Sequence, residues 1–225
     1  MGDIYTNSMF KDWKQCQRKY YYKYVKKIVI PKKEDNFELG KKVHALISYK
    51  LNGFDTKVML QAVDDNVLKH YESILNHPLM KQTSLRSEWG FSVNIGKTSD
   101  MFMGRIDAIF FDEQTGKYTI ADWKTGMNIP KVPIDDEQAR IYLYAFYRCK
   151  DDLKLDIEPE NIRFTFVQTP SLNESSLDFS TKLNDMFEAD FLNTIKDIKN
   201  YRHDSIPQEN SNCKFCEYRF LCFKN

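Results

Sequence analysis

The sequence predicts one α/β unit with a helical N-terminal section, and three observations carry that expectation. Apolar residues before residue 78 keep helical spacing. Three stretches between residues 85 and 123 are rich in β-branched and aromatic residues, and after residue 134 the pattern runs helix, strand, helix. In order, residues 8–27 read as a helix with Ser8 as its N-cap and Pro31 closing the segment. A second helix starts near Phe37 and runs through Val43, His44, Ile47 and Leu51 to the stop at Asn52-Gly53. A third covers about residues 56–75 and ends before Pro78. Residues 85–95, 102–111 and 118–123 read as three sequential strands of an antiparallel meander, with turns at Gly96 and between Asp112 and Gly116. Residues 134–149 return to helix, with Ile141, Tyr142, Ala145 and Phe146 on one face. Residues 162–168 form a further strand, and Leu183, Phe187, Phe191, Ile195 and Ile198 mark a long helix up to about Arg202.

Composition excludes several classes. With 42% hydrophobic and 29% charged residues among 225, the chain is neither disordered nor membrane-spanning. Its longest apolar run, residues 141–147, is seven residues, against the ~18 that a bilayer requires. The N-terminus lacks the apolar stretch of a signal peptide, so a cytoplasmic location is expected. The net charge of +1 conceals an asymmetry: nine basic residues lie from Lys11 to Lys33 against one acid, Asp12. Tyr20, Tyr21, Tyr22 and Tyr24 are interleaved with them. Such a segment can neutralise phosphates and stack bases, or it can be a solvated helix face with its tyrosines turned inward.

The sharpest local signal is Gly104-Arg105-Ile106-Asp107 followed by Asp122-Trp123-Lys124-Thr125-Gly126. Asp107 and Asp122 fall on neighbouring expected strands, and two carboxylates held close together repel unless a cation sits between them. Oxygen ligands suit Mg²⁺ or Mn²⁺. Lys124, two residues after Asp122, points to the same face of a strand and would stand beside the ion. Taken alone, an Asp-x-Lys tripeptide equally describes a surface ion pair. Cys213, Cys216 and Cys222 supply three thiolates, one short of a closed site; Cys16, Cys149 or His203 could complete it, around zinc or an iron–sulfur cluster.

Together these segments resemble the PD-(D/E)XK nucleases. Gln138-Ala139-Arg140-Ile141-Tyr142 matches the Q-x-x-x-Y motif of the RecB-like branch, and Gly40 to His44 matches its upstream glycine and histidine. The resemblance implies a restriction-endonuclease-like core, a mixed sheet flanked by helices. It implies that His44, Asp107, Asp122 and the Trp123 carbonyl bind the divalent metal, that Lys124 assists the nucleophilic water, and that Gln138 and Tyr142 contact the substrate backbone or buttress the site. Glu88 is a weaker candidate on the first long strand. Residues 8–21 are similar to the N-terminal cysteine motif of iron–sulfur members such as AddB and the CRISPR-associated Cas-four type. That likeness assigns Cys16, Cys213, Cys216 and Cys222 to a 4Fe–4S cluster and leaves Cys149 as a buried helix residue.

The implied layout is a single nuclease domain over residues 1–225. Residues 1–78 are the helical section, 79–170 the catalytic sheet and helix, and 171–225 a helix and cysteine tail that closes the cluster with Cys16. The implied activity is hydrolysis of DNA, exonucleolytic on single-stranded ends, in recombination, repair or CRISPR adaptation. The alternative is a non-catalytic DNA-binding module stabilised by the cluster or by zinc.

Overall fold

A computed structural model describes residues 2–31, 35–126, 128–202, 209 and 211–223. Lys32, Lys33 and His203, which enter the expectations above, lie outside the described residues. The chain opens with a short strand β1 (Ile4–Tyr5), then α1 (Asn7–Gln15), α2 (Gln17–Tyr20) and a π-helical turn over Tyr21–Val25. Helices α3 (Asp35–Leu51), α4 (Lys57–Leu60) and α5 (Asp65–Leu75) follow. The sheet is then built by β2 (Thr83–Asn94), β3 (Met101–Asp112) and β4 (Lys117–Lys124), continued after α6 (Glu137–Arg148) by β5 (Ile162–Gln168) and β6 (Asn173–Asp178). Helix α7 (Thr181–Asn200) and the short α8 (Arg219–Cys222) complete the order.

The sheet is mixed. β2, β3 and β4 pair antiparallel as a meander, β4 and β5 are parallel, and β6 returns antiparallel to β5. β1 runs parallel to the first residues of β3. A parallel pair needs a crossover, and α6 supplies it between β4 and β5. Side chains alternate across the sheet. On one side Ile120, Phe164 and Phe166 pack with Ile141 and Ala145 of α6 and with Phe187 and Phe191 of α7. On the other, Ala108, Phe110, Ala121 and Trp123 pack with Val43, Leu46 and Ile47 of α3 and with Val67, Tyr71 and Ile74 of α5. Both faces are therefore covered by helices, the α/β architecture expected from the sequence.

Several expectations are corrected. The helix expected over residues 8–27 is interrupted at Cys16, whose extended backbone (φ −167°, ψ 113°) ends α1 and starts α2. Its N-cap is Thr6 rather than Ser8, the Thr6 hydroxyl accepting the Met9 N–H at 3.3 Å. The helix expected over residues 56–75 is two helices, because Asp64 caps α5 by accepting the Val67 N–H at 3.0 Å. β1 and β6 were not anticipated.

Gly104 lies where the sheet leaves no room for a side chain. A Cβ there would stand 2.6 Å from Cζ of Phe91. That ring is buried against Tyr142, with centroids 5.7 Å apart. Gly104→Ala should therefore destabilise the fold by about 1–3 kcal/mol, the usual cost of overpacking, measurable by urea denaturation.

Candidate active site

The site lies at the end of the β3–β4 pairing that carries Asp107 and Asp122. The register pairs Ala108 with Ala121, so these two aspartates come next on opposing strands. Asp107 Oδ2 accepts the Trp123 backbone N–H at 3.0 Å, which ties the two strand ends together. Asp122, on the same face as Ile120, turns toward α6 and is only 2% exposed. There Gln138 acts as a two-way bridge: its Nε2 donates to Asp122 Oδ1 at 2.5 Å, and its Oε1 accepts from Lys124 Nζ at 2.8 Å. The Lys124 ammonium also lies 2.7 Å from Asp122 Oδ2, although that oxygen receives no hydrogen bond of good geometry. Burial raises the Asp122 carboxyl pKa well above the carboxylate range, and the Asp107 charge adds to the rise. An opposite charge close by would offset that rise.

That charge has a place. His44 reaches from α3 into the same cleft, its Nε2 donating to the Trp123 carbonyl at 2.8 Å. A carbonyl only accepts, so Nδ1 is left facing Asp107 Oδ2 at 3.4 Å and Glu88 Oε1 at 3.9 Å. Among the described residues, His44, Glu88 and Asp107 form the one group of three such side chains whose ligand atoms lie within 4.8 Å of one another. Burial lowers the imidazole pKa, but the hydrogen bond and charge of Asp107, with the Trp123 carbonyl, outweigh it and push it up to about 9. Once deprotonated, that imidazole nitrogen among carboxylate oxygens makes a donor set that can take a divalent cation.

Glu88 owes its position to the backbone. It adopts φ +49° within β2 and falls between two residues that do pair with β3, Ser87 and Trp89. A side-chain-bearing residue rarely adopts this conformation, and such outliers gather at functional sites. Sequence reasoning gave Glu88 little weight because periodicity cannot reveal a local left-handed residue. Gly40 lies one turn before His44, where an added Cβ would meet Thr125 Oγ1 at 3.3 Å. That close approach brings α3 onto the segment after Lys124.

His44, Glu88, Asp107 and Lys124 line a cavity of about 750 Å³ that opens to solvent. Asp122, Gln138 and Tyr142 do not line it. Tyr142 is buried, packed edge-on against Phe91, and burial raises its hydroxyl pKa, with the Asp122 charge adding to the effect.

A second cysteine-bearing cavity, of about 90 Å³, lies where the two ends of the chain meet, and Cys16, Cys213 and Cys216 line it. Cys222 Sγ faces the Tyr22 hydroxyl at 4.0 Å, and burial raises the thiol pKa of both Cys216 and Cys222, with Cys16 adding to each. No three of these sulfurs stand within 4.8 Å of one another. Tyr218 donates to the Ile28 carbonyl at 2.8 Å and Tyr22 to that of Leu221 at 3.1 Å, so tail and N-terminal segment are hydrogen-bonded together. Cys149 is elsewhere, buried at the end of α6. Part of the basic N-terminal run is committed internally: Lys19 and Lys23 pair with the buried Asp12 at 2.9 and 2.6 Å, and Lys14 pairs with Glu137 at 2.6 Å.

A family model of the PD-(D/E)XK nuclease superfamily matches residues 6–223. The chain belongs to that superfamily. No curated protein matches it. Among solved structures, SSO0001 is 18% identical with a TM-score of 0.50, over 99% of this chain and 86% of that one. A protein of Eubacterium rectale, provisionally described as an exonuclease, is 10% identical with a TM-score of 0.55, over 92% of this chain and 90% of the other. At these identities the likeness is one of fold. The PD-(D/E)XK match, by contrast, spans both the acidic cleft and the cysteine tail.

Proposed function

We propose that this PD-(D/E)XK protein hydrolyses phosphodiester bonds of DNA with Mg²⁺ or Mn²⁺, as an exonuclease acting on single-stranded ends. The observation that carries this reading is the adjacency of two sets of groups: His44, Glu88 and Asp107 as ligand atoms, and the Lys124–Gln138–Asp122 bridge beside them. His44, Asp107 and Asp122, with the Trp123 carbonyl, would hold the cation, and Glu88 joins them by its position. A divalent ion there would polarise a phosphate oxygen and acidify a water.

The chain's own residues do the remaining work. Gln138 fixes the Lys124 ammonium at the strand end, where it orients the attacking water and stabilises charge developing on the phosphate. Tyr142, buried beneath, keeps the helix that carries Gln138 in place against the sheet.

The same reading places the chain in the RecB-like branch, with Cys16, Cys213, Cys216 and Cys222 around a 4Fe–4S cluster. It is supported by the shared cavity of Cys16, Cys213 and Cys216, and by the break between α1 and α2 that falls on Cys16. Residues 1–225 then act as one nuclease domain, in the cytoplasm, on DNA ends arising in recombination, repair or CRISPR adaptation.

The test is a cleavage assay on end-labelled single-stranded and duplex DNA, in Mg²⁺, Mn²⁺ or EDTA. Stepwise shortening of single strands that EDTA abolishes is the expected result. Protein that binds DNA but releases no nucleotide under any of these conditions is instead a non-catalytic binding module.

A further inference from the structure

The cleft has a wall that the hydrolytic groups leave unused. Tyr49 lies on α3, five residues beyond His44, and lines the same cavity. Its side chain is not part of either core: the residue is 46% exposed. The next exposed aromatic, Phe54 at 59%, is folded back onto it, with ring centroids 5.6 Å apart and planes at 63°. Two features hold that arrangement. The Phe54 N–H donates to the Tyr49 carbonyl at 3.0 Å, and Gly53 turns the chain with φ +79°, a conformation favouring glycine. Elsewhere on the lining, Arg105 extends a side chain that is 69% exposed, held at one nitrogen by Glu88 at 3.3 Å.

The cavity thus presents three kinds of surface: carboxylate and imidazole ligands, guanidinium and ammonium charge, and an exposed aromatic ring braced by a second one. A nucleotide offers the matching three, namely a phosphate, a charged backbone and a flat base. Inside a duplex both faces of a base are covered by its neighbours, so away from a blunt end only an unpaired base can lie on a protein ring. We infer that Tyr49, braced by Phe54, is the stacking platform for an unpaired nucleobase next to the phosphate bound at the site, with Arg105 engaging the backbone of the same strand. The inference rests on the nuclease reading and specifies its substrate as an unpaired end.

The experiment reads binding and leaves cleavage aside. Full-length protein in Ca²⁺ is titrated with a labelled single-stranded oligonucleotide, and with the same oligonucleotide carrying three abasic residues at each end. Tyr49→Ala and Tyr49→Leu should each weaken binding of the intact strand by about tenfold or more, the fold-change that corresponds to about 1.4 kcal/mol. Tyr49→Phe, which keeps the ring, should stay within about twofold of the parent, and Phe54→Ala should lose less than Tyr49→Ala. On the abasic-ended strand the parent and Tyr49→Ala should bind alike. Equal losses on both strands, or no loss on either, would overturn the platform. Leucine keeps the bulk that rests on Phe54, so a loss shared by leucine and alanine but not phenylalanine is not a folding effect. Tyr49-dependent binding without hydrolysis in Mn²⁺ would keep the platform and retire the hydrolase reading. Hydrolysis without the Tyr49 effect would do the reverse.

Discussion

Alanine at Lys124 will lower DNA cleavage by at least about a hundred- to a thousandfold, the scale seen when one preorganised donor is removed from a charge-stabilising site. The expectation follows from how little freedom that ammonium has. Gln138 and Asp122 fix it at 2.8 and 2.7 Å, and Phe166 lies under it at 5.2 Å from the ring centroid. A group so restrained makes its full contribution without reorganising when a phosphate arrives. Asp107→Ala should be as severe for a different reason. It removes a ligand oxygen and the acceptor of the Trp123 N–H together, loosening the junction of β3 and β4. Turnover is the readout, with DNA binding in Ca²⁺ as the control that the cleft survives. Normal turnover in either variant would remove the hydrolytic role assigned to this cleft.

The second large effect concerns stability. Cys216→Ala should give colourless protein that unfolds far more readily, and alanine at Cys16, Cys213 or Cys222 should do the same. Joining residue 16 to residue 213 encloses nearly the whole chain, and on the chain-entropy model a loop of ~100 residues or more contributes roughly 4–5 kcal/mol. Among the described residues, the contacts that remain without that link include two tyrosine hydroxyls bonded to carbonyls, a Tyr22–Tyr218 stack at 5.9 Å and a Lys19–Glu217 pair at 3.7 Å. The measurements are the absorbance near 400 nm after anaerobic purification, iron content and denaturation midpoint. A variant that keeps full colour and stability removes its cysteine from the ligand set. Zinc in place of iron in the parent protein removes the cluster itself.

The central strands are legible in the sequence because helices cover both faces of the sheet: β3, β4 and β5 are rich in β-branched and aromatic residues and are bounded by turn residues. The edge was not. β6 is Asn-Glu-Ser-Ser-Leu-Asp, polar and largely exposed, and it exists because β5 offers it a hydrogen-bonding partner. β1 is two residues long, too short for any period to show. Nothing in Gln15-Cys16-Gln17 is a helix breaker, so the break at Cys16 leaves no local signal, whereas the Asp64 cap that splits the helix over residues 56–75 is one that the sequence carries. In the site, the pairing of Asp107 with Asp122 and the shared face of Asp122 and Lys124 follow from strand alternation. Tyr49 and Arg105 reach the same cavity only through the packing of α3 against β2 and β3, which no local pattern encodes.

The alternation along β4 has one more consequence. Ile120, Asp122 and Lys124 occupy even positions toward α6, while Ala121 and Trp123 occupy odd positions toward α3 and α5. Parity, more than sequence identity, therefore decides which groups meet Gln138 on α6 and which join the core under α3 and α5. One residue added between 118 and 121 would exchange odd for even, turning both charged groups into the layer that Trp123 now fills. The same addition in the turn before Gly116 would leave parity untouched, so the hairpin tip is free to change length where the strand is not.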